Sequence, residues 1–133
     1  MSIRIKSSRI AFFSGKVIST AYMNWLELNS PEQVEEIVYQ SSLSPVLIFK
    51  HSTTCNVSLM VKMRLDQQWS FDIPSYYLDL KKFREVSHLV ASKFHVHHES
   101  PQVLVIKDGE CVFDASHFDI QVPELFELCE VQF

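Results

Sequence analysis

The sequence predicts an α/β fold in which a central mixed sheet ends in an antiparallel hairpin and carries helices on both faces. Three observations carry this expectation. Strand-like and helix-like segments alternate between residues 24 and 94. The run Pro45–Lys50 (PVLIFK) is apolar up to its last residue, as in a central strand covered on both sides. Near the C-terminal end, Asp108-Gly109 separates two apolar runs by only two residues, the spacing that closes a β-hairpin.

Each element follows from local signals. Asn24–Leu28 reads as a short first strand. Ser30-Pro31-Glu32-Gln33 then supplies an N-cap, a proline at the first helical position and a capping-box glutamine. Val34, Ile37 and Val38 continue at helical spacing, so this helix runs to about Ser42 and buries one face. After the central strand, His51–Thr54 is a short polar loop. Val57, Val61, Leu65 and Trp69 recur every four residues from Cys55 to Trp69, which predicts a second helix. Pro74 turns the chain into Tyr76-Tyr77-Leu78, a third strand. Phe83, Val86, Val90 and Phe94 mark a third amphipathic helix. A histidine-rich loop ends at Ser100-Pro101, the hairpin follows, and Leu125 and Leu128 belong to a last helix after Pro123.

The totals bound the function. The 133 residues suit one core, with 47% hydrophobic and 21% charged residues, an ordinary globular balance. A net charge of −4 with no basic cluster leaves nucleic acid without a footprint. No run approaches the roughly 18 apolar residues of a spanning helix, so no membrane partner is expected. Arg4, Lys6 and Arg9 precede the apolar Ile10–Phe13, but Ser14-Gly15-Lys16 interrupts it far short of a signal peptide. Residues 1–22 therefore read as an N-terminal extension, with Met23 a candidate translation start, and residues 23–133 as the domain. Three cysteines, an odd number, make no disulfide framework. A cytoplasmic location is expected, where a disulfide is catalytic more often than structural.

Cys55 is the candidate nucleophile. It follows the carboxyl end of the central strand, the edge at which open α/β sheets bind ligands. It also opens a helix, whose unpaired N–H groups favour a thiolate. Cysteines so placed titrate at about 3.5–7.5 instead of about 8.5. In Cys55-Asn56-Val57-Ser58, a Cys-x-x-Ser pattern, the Ser58 hydroxyl is expected to donate to the thiolate from one turn on. Cys111 and Cys129 have apolar neighbours and read as inert buried thiols. A two-residue turn at Asp108-Gly109 sets Lys107 opposite Glu110, Ile106 opposite Cys111 and Pro101 opposite Ser116. If Pro101 sits beside Cys55, as it would in a thioredoxin fold, Ser116 and His117 return to the same edge and Cys111 is five residues along the strand, about 16 Å at about 3.3 Å per residue. A disulfide needs Cα atoms within about 7 Å, so on that fold Cys111 is not expected to resolve Cys55.

Strand, helix, strand, helix, strand, helix, hairpin and helix is the element order of the thioredoxin fold. Lys50-His51-Ser52-Thr53-Thr54-Cys55-Asn56-Val57-Ser58, Tyr77-Leu78-Asp79-Leu80, His98-Glu99-Ser100-Pro101-Gln102 and Ser116-His117, in this order, resemble the monothiol bacilliredoxins. The likeness runs from about Trp25 to the C-terminus. It implies a thioredoxin-like fold and removal of bacillithiol from mixed disulfides on oxidised proteins. Bacillithiol is then a co-substrate, bacillithiolated client proteins are the partners, and no cofactor is bound. Cys55 matches the reactive cysteine of that family, and Pro101 matches the cis-proline facing it. Thr54 and Asn56 depart from the arginine and proline that often flank the cysteine. The departures predict weaker thiolate stabilisation and a looser helix start, and they leave the nucleophile in place.

Other readings stay open. Monothiol glutaredoxins share Cys-x-x-Ser and the cis-proline, but they carry a Gly-Gly segment after the hairpin where this chain has Ala115-Ser116-His117. A redox-inactive thioredoxin-like adaptor, with an incidental Cys55, is the second alternative. His95, His97 and His98 lack a nearby Cys-x-x-Cys or carboxylate pair, so no metal is expected. Lys50 and Arg84 are the candidate cations for an anionic thiol carrier. His98, Ser100, Ser116 and His117 are its candidate polar contacts.

Overall fold

The computed structural model describes residues 24–69 and 72–131. The expected extension at residues 1–22 lies outside the described residues. Five strands form one sheet: β1 (Leu26–Glu27), β2 (Val46–His51), β3 (Ser75–Asp79), β4 (Gln102–Lys107) and β5 (Glu110–Ser116). Their order across the sheet is β1-β3-β2-β4-β5. β1, β3 and β2 run parallel, and β4 and β5 run antiparallel to their neighbours, giving the mixed sheet with a terminal hairpin. The helices are α1 (Pro31–Gln40), α2 (Asn56–Gln68), α3 (Arg84–Lys93) and α4 (Val122–Val131). Among the described residues, no helix is long and apolar enough to cross a membrane.

Side-chain alternation along β2 explains why its run is continuously apolar. Val46 and Ile48 pack with Val34 and Ile37 of α1 and Val86 and Val90 of α3. Leu47 and Phe49 point the other way, to Val61 and Leu65 of α2 and Leu125 of α4. All six residues of β2 are buried, including Lys50 and His51 at its end. Successive strand residues face opposite sides, so Lys50 lies on the α1/α3 side and His51 on the α2/α4 side.

The helix signals act as expected. Gln33 accepts the Ser30 backbone N–H at 3.0 Å, closing the start of α1. At its other end, Ser41 holds the hairpin turn. Its carbonyl accepts the Asp108 N–H and its hydroxyl the Gly109 N–H, each at 2.8 Å. Asp108 and Gly109 both have positive φ, 53° and 79°, as a two-residue hairpin turn requires.

The hairpin register departs from the sequence expectation beyond its first two pairs. Lys107 faces Glu110 and Ile106 faces Cys111, but Val105 faces Phe113, with a β-bulge between. Val112 is the extra residue, and its side chain is exposed. A bulge leaves one residue unpaired and shifts every later partner by one. Ser116 therefore pairs with Gln102 instead of Pro101.

Candidate active site

The end of β2 and the start of α2 place Cys55. Leu80 N–H donates to the His51 carbonyl at 3.1 Å, fixing the end of the strand against the chain beyond β3. A tight turn follows, in which Cys55 N–H donates to the Ser52 carbonyl at 3.2 Å. Cys55 is the N-cap of α2, with extended backbone, and its carbonyl accepts the first helical bond from Leu59 N–H at 3.0 Å. It thus stands at the helix end where backbone N–H groups lack intrahelical partners. Cys55 is partly exposed, so a partner molecule can reach it.

β4 brings the second wall. Lys50 pairs with Gln102, so the antiparallel continuation sets Pro101 beside the end of β2, at the same sheet edge. The Ser100–Pro101 peptide is cis. His117 N–H donates to the Pro101 carbonyl at 3.0 Å, which brings Ser116 and His117 to that edge. The imidazole Nε2 of His117 lies 3.7 Å from one Glu99 oxygen, and His97 Nε2 lies 3.7 Å from the other. One half-exposed thiol, a cis-proline and a polar rim therefore share one end of the sheet.

The model of the monothiol bacilliredoxin BrxC family matches residues 26–125. The chain belongs to this family. A solved structure assigned as an oxidoreductase with a thioredoxin fold is 32% identical, with a TM-score of 0.66. That match covers 77% of this chain and 90% of the other. Malassezia sympodialis thioredoxin is 13% identical with a TM-score of 0.63, covering 82% and 90% of the two chains. Reduced Schistosoma mansoni thioredoxin is 18% identical with a TM-score of 0.61, covering 84% and 100%. At those identities the two thioredoxins share the fold alone. Family and fold together make this bacilliredoxin a thiol oxidoreductase.

The other two thiols are unlike Cys55. Cys111 is partly buried and points its Sγ at the Phe113 carbonyl, 3.2 Å away. Burial pushes its thiol up to about 11. Cys129 is wholly buried, and burial pushes it up to about 12. Neither forms the thiolate that attack requires at neutral pH.

Several expected site residues take other positions. Ser58 is fully buried, and its hydroxyl turns toward the sheet. Its Oγ accepts the Ser52 N–H at 3.0 Å and lies 2.6 Å from Nδ1 of His51. Among the described residues, no hydrogen bond joins it to Cys55 Sγ. The expected donation from Ser58 to the sulfur is replaced by this inward contact.

Lys50 is not a surface cation. It is fully buried on the α1/α3 side, donating to the Ser87 carbonyl at 3.1 Å, with His98 Nδ1 at 3.2 Å. Burial lowers its pKa to about 8. His98 is drawn into this cluster, and its own pKa is lowered by burial and by Lys50. Arg84 opens α3 and is exposed, with no described contact to the Cys55 loop. The Ser100 Oγ is buried without a hydrogen-bond partner.

Two residues at the site escaped the sequence reading. Lys81 Nζ donates to Thr54 Oγ1 at 3.2 Å, putting an exposed cation one residue from Cys55. Its signal was the Lys81-Lys82 pair directly after β3, the strand beside β2. His51 is the other, and its signal was a polar residue ending an otherwise apolar strand. His95, His97 and His98 have separate surroundings: His95 is exposed at positive φ, His97 meets Glu99 and His98 meets Lys50.

Proposed function

We propose that this bacilliredoxin removes bacillithiol from mixed disulfides on oxidised proteins, with Cys55 as its single reacting thiol. The observation that carries the reading is the half-buried N-cap position of Cys55, at the sheet edge that also holds cis-Pro101, in a chain whose other two thiols are held protonated by burial. The Cys55 thiolate attacks the bacillithiol sulfur of the mixed disulfide. The S–S bond to the client breaks, the client leaves as a thiolate that takes a proton from water, and bacillithiol stays disulfide-linked to Cys55. Exchange of this kind follows the thiolate fraction of the attacking sulfur. A second thiol, free bacillithiol or a partner redoxin, then attacks the adduct and restores Cys55.

Lys81, Ser116 and His117 line the rim available to the anionic carrier, and the Ser100 backbone is the place for a client strand to pair. Lys50, buried against Ser87 and His98, does not line this rim. Bacillithiolated proteins of a reducing cytoplasm are the clients. Ala115-Ser116-His117 in place of a Gly-Gly pair favours bacillithiol over glutathione, because side chains there keep the tripeptide backbone from approaching.

Intact-mass analysis after incubation with oxidised bacillithiol and, separately, oxidised glutathione tests the reading. A bacillithiol adduct on Cys55 that forms faster than the glutathione adduct supports it. Preference for glutathione selects the glutaredoxin-like alternative, and an inert Cys55 selects the adaptor.

A further inference from the structure

Lys81 is exposed, just past the end of β3, and the nearby carboxylate of Asp79 is engaged with the backbone. Asp79 Oδ1 accepts the N–H groups of Lys81 and Lys82, each at 3.2 Å, and so fixes this turn. The Lys81 side chain crosses instead to the loop between β2 and α2, where Nζ donates to Thr54 Oγ1 at 3.2 Å. Thr54 Oγ1 in turn lies 3.3 Å from Ser52 Oγ in the same loop. Thr54 directly precedes Cys55. Consecutive Cα atoms are about 3.8 Å apart, so the ammonium stands within about 10 Å of the Cys55 Cα.

Other charged groups at this end of the sheet are committed elsewhere. Lys50 is buried against Ser87 and His98, and Lys62 pairs with Asp66 at 2.8 Å. Lys82 Nζ lies over the Phe83 ring, 5.5 Å from its centroid. Glu99, on the cis-proline side, has one oxygen 3.7 Å from His97 Nε2 and the other 3.7 Å from His117 Nε2. An ammonium has three donors, so Lys81 can keep Thr54 and still meet a second acceptor. A side chain already held by Thr54 also has less rotamer freedom to lose on meeting it.

We propose that Lys81 is the specificity-determining residue of this site: it selects disulfides that carry a carboxylate a few bonds from the attacked sulfur. The chain's net charge of −4 would otherwise disfavour them. The inference rests on Cys55 being the reacting thiol, and it deepens that reading by naming the charge class of the substrate.

The test uses the full chain and three small symmetric disulfides of similar length. These are dithiodipropionate, which is anionic, hydroxyethyl disulfide, which is neutral, and cystamine, which is cationic. With each, the Cys55 thiolate attacks one sulfur and the S–S bond of the reagent breaks. One half leaves as a thiolate that takes a proton from water, and the other stays on Cys55 as a mixed disulfide. Intact mass gives the rate, and peptide mass locates the adduct. Each rate is divided by that of the neutral disulfide on the same protein, which cancels the reactivity of the sulfur itself. Comparing that ratio between variant and wild type cancels the reactivity of the reagent.

Lys81→Gln should lower the anionic-to-neutral ratio by about threefold, the size of one exposed ion pair, and raise the cationic-to-neutral ratio. Lys81→Glu should move both further, and Lys81→Arg should keep the wild-type ratios. Lys82→Gln makes the same change of charge one residue on and should alter the ratios far less. Added potassium chloride should shrink the difference between wild type and Lys81→Gln, because salt screens an exposed pair. An unchanged ratio in Lys81→Gln, or an equal fall in Lys82→Gln, overturns the inference while leaving Cys55 as the reacting thiol. No adduct on Cys55 with any of the three reagents refutes the reading of Cys55 itself, and the inference falls with it.

Discussion

The Lys50 ammonium, wholly buried behind β2, sits 3.2 Å from Nδ1 of His98. Lysine is rarely fully buried without a partner, and here the partners are a neutral imidazole and the Ser87 carbonyl. Among the described residues no carboxylate offsets the desolvation, and burial lowers the pKa to about 8. The cluster connects the core of the sheet to the loop that leads into Ser100-Pro101.

This burial gives a pH dependence with a defined sign. Folded Lys50 titrates near 8 and unfolded Lys50 near 10.5, so between those values the unfolded chain binds more protons. Stability therefore rises with pH across that window, by up to about 3 kcal/mol at about 1.4 kcal/mol per unit. Cys111 and Cys129 act in the opposite sense above pH 9, because their thiols are pushed up in the fold. The Lys50 share is isolated by comparing wild type with Lys50→Met in urea titrations from pH 7 to 10.5. Wild type should gain on the variant as pH rises. The His98 titration, followed by NMR, should move up in Lys50→Met as the neighbouring charge is removed.

Thiol selectivity follows from the same physics. At pH 8, brief iodoacetamide treatment of the native protein should add one label, on Cys55. The high values of Cys111 and Cys129 leave almost no thiolate at that pH, and Cys129 is buried as well. After unfolding, all three thiols should react at similar rates. Labelling of Cys129 in the native state, without unfolding, would contradict the burial assigned to it.

The turn between β4 and β5 depends on one serine. Ser41 Oγ accepts the Gly109 N–H at 2.8 Å and donates to the Val38 carbonyl at 2.7 Å. Ser41→Ala leaves the Gly109 N–H without its partner, at a cost of about 1–3 kcal/mol. Chemical denaturation should show that loss, while alkylation of Cys55 at the opposite end of the hairpin should keep its rate.

Much of this architecture was legible in the sequence, for physical reasons that differ by element. Ser30-Pro31 and the four-residue spacing of Val61, Leu65 and Trp69 are local signals, and the helices follow them. PVLIFK read as a covered strand because both its faces must be apolar. The hairpin turn was legible, but the bulge at Val112 was not, since nothing local says which residue a strand will leave unpaired. As a candidate cation for an anionic carrier, Lys50 is misplaced by its sequence signal, because lysine is seldom fully buried. The Ser58–His51 contact joins residues whose side chains meet only once α2 packs on β2. The position of Cys55, at the N-cap that follows β2, was legible from strand-then-helix order alone, whereas the side chains packed around that helix start belong to tertiary packing.

The reaction itself yields the last prediction. Cys55→Ser should abolish release of bacillithiol from a modified client, while Cys111→Ser and Cys129→Ala should retain most of it. The Sγ of Cys111 meets the Phe113 carbonyl at 3.2 Å. Cys111 pairs with Ile106, whereas the edge that holds Pro101 is reached at Ser116, paired with Gln102. Ser116 lies five residues along the strand from Cys111, about 16 Å at about 3.3 Å per step. A disulfide requires Cα atoms within about 7 Å, so Cys111 cannot capture the adduct while the hairpin is intact. Cys129 lies in the core, at 0% exposure, and is equally out of reach of an external disulfide. The bacillithiol adduct on Cys55 should therefore accumulate until a second thiol is added, and intact mass should show it disappearing on that addition. An internal disulfide formed in place of the adduct, in the folded protein, would overturn the single-thiol mechanism.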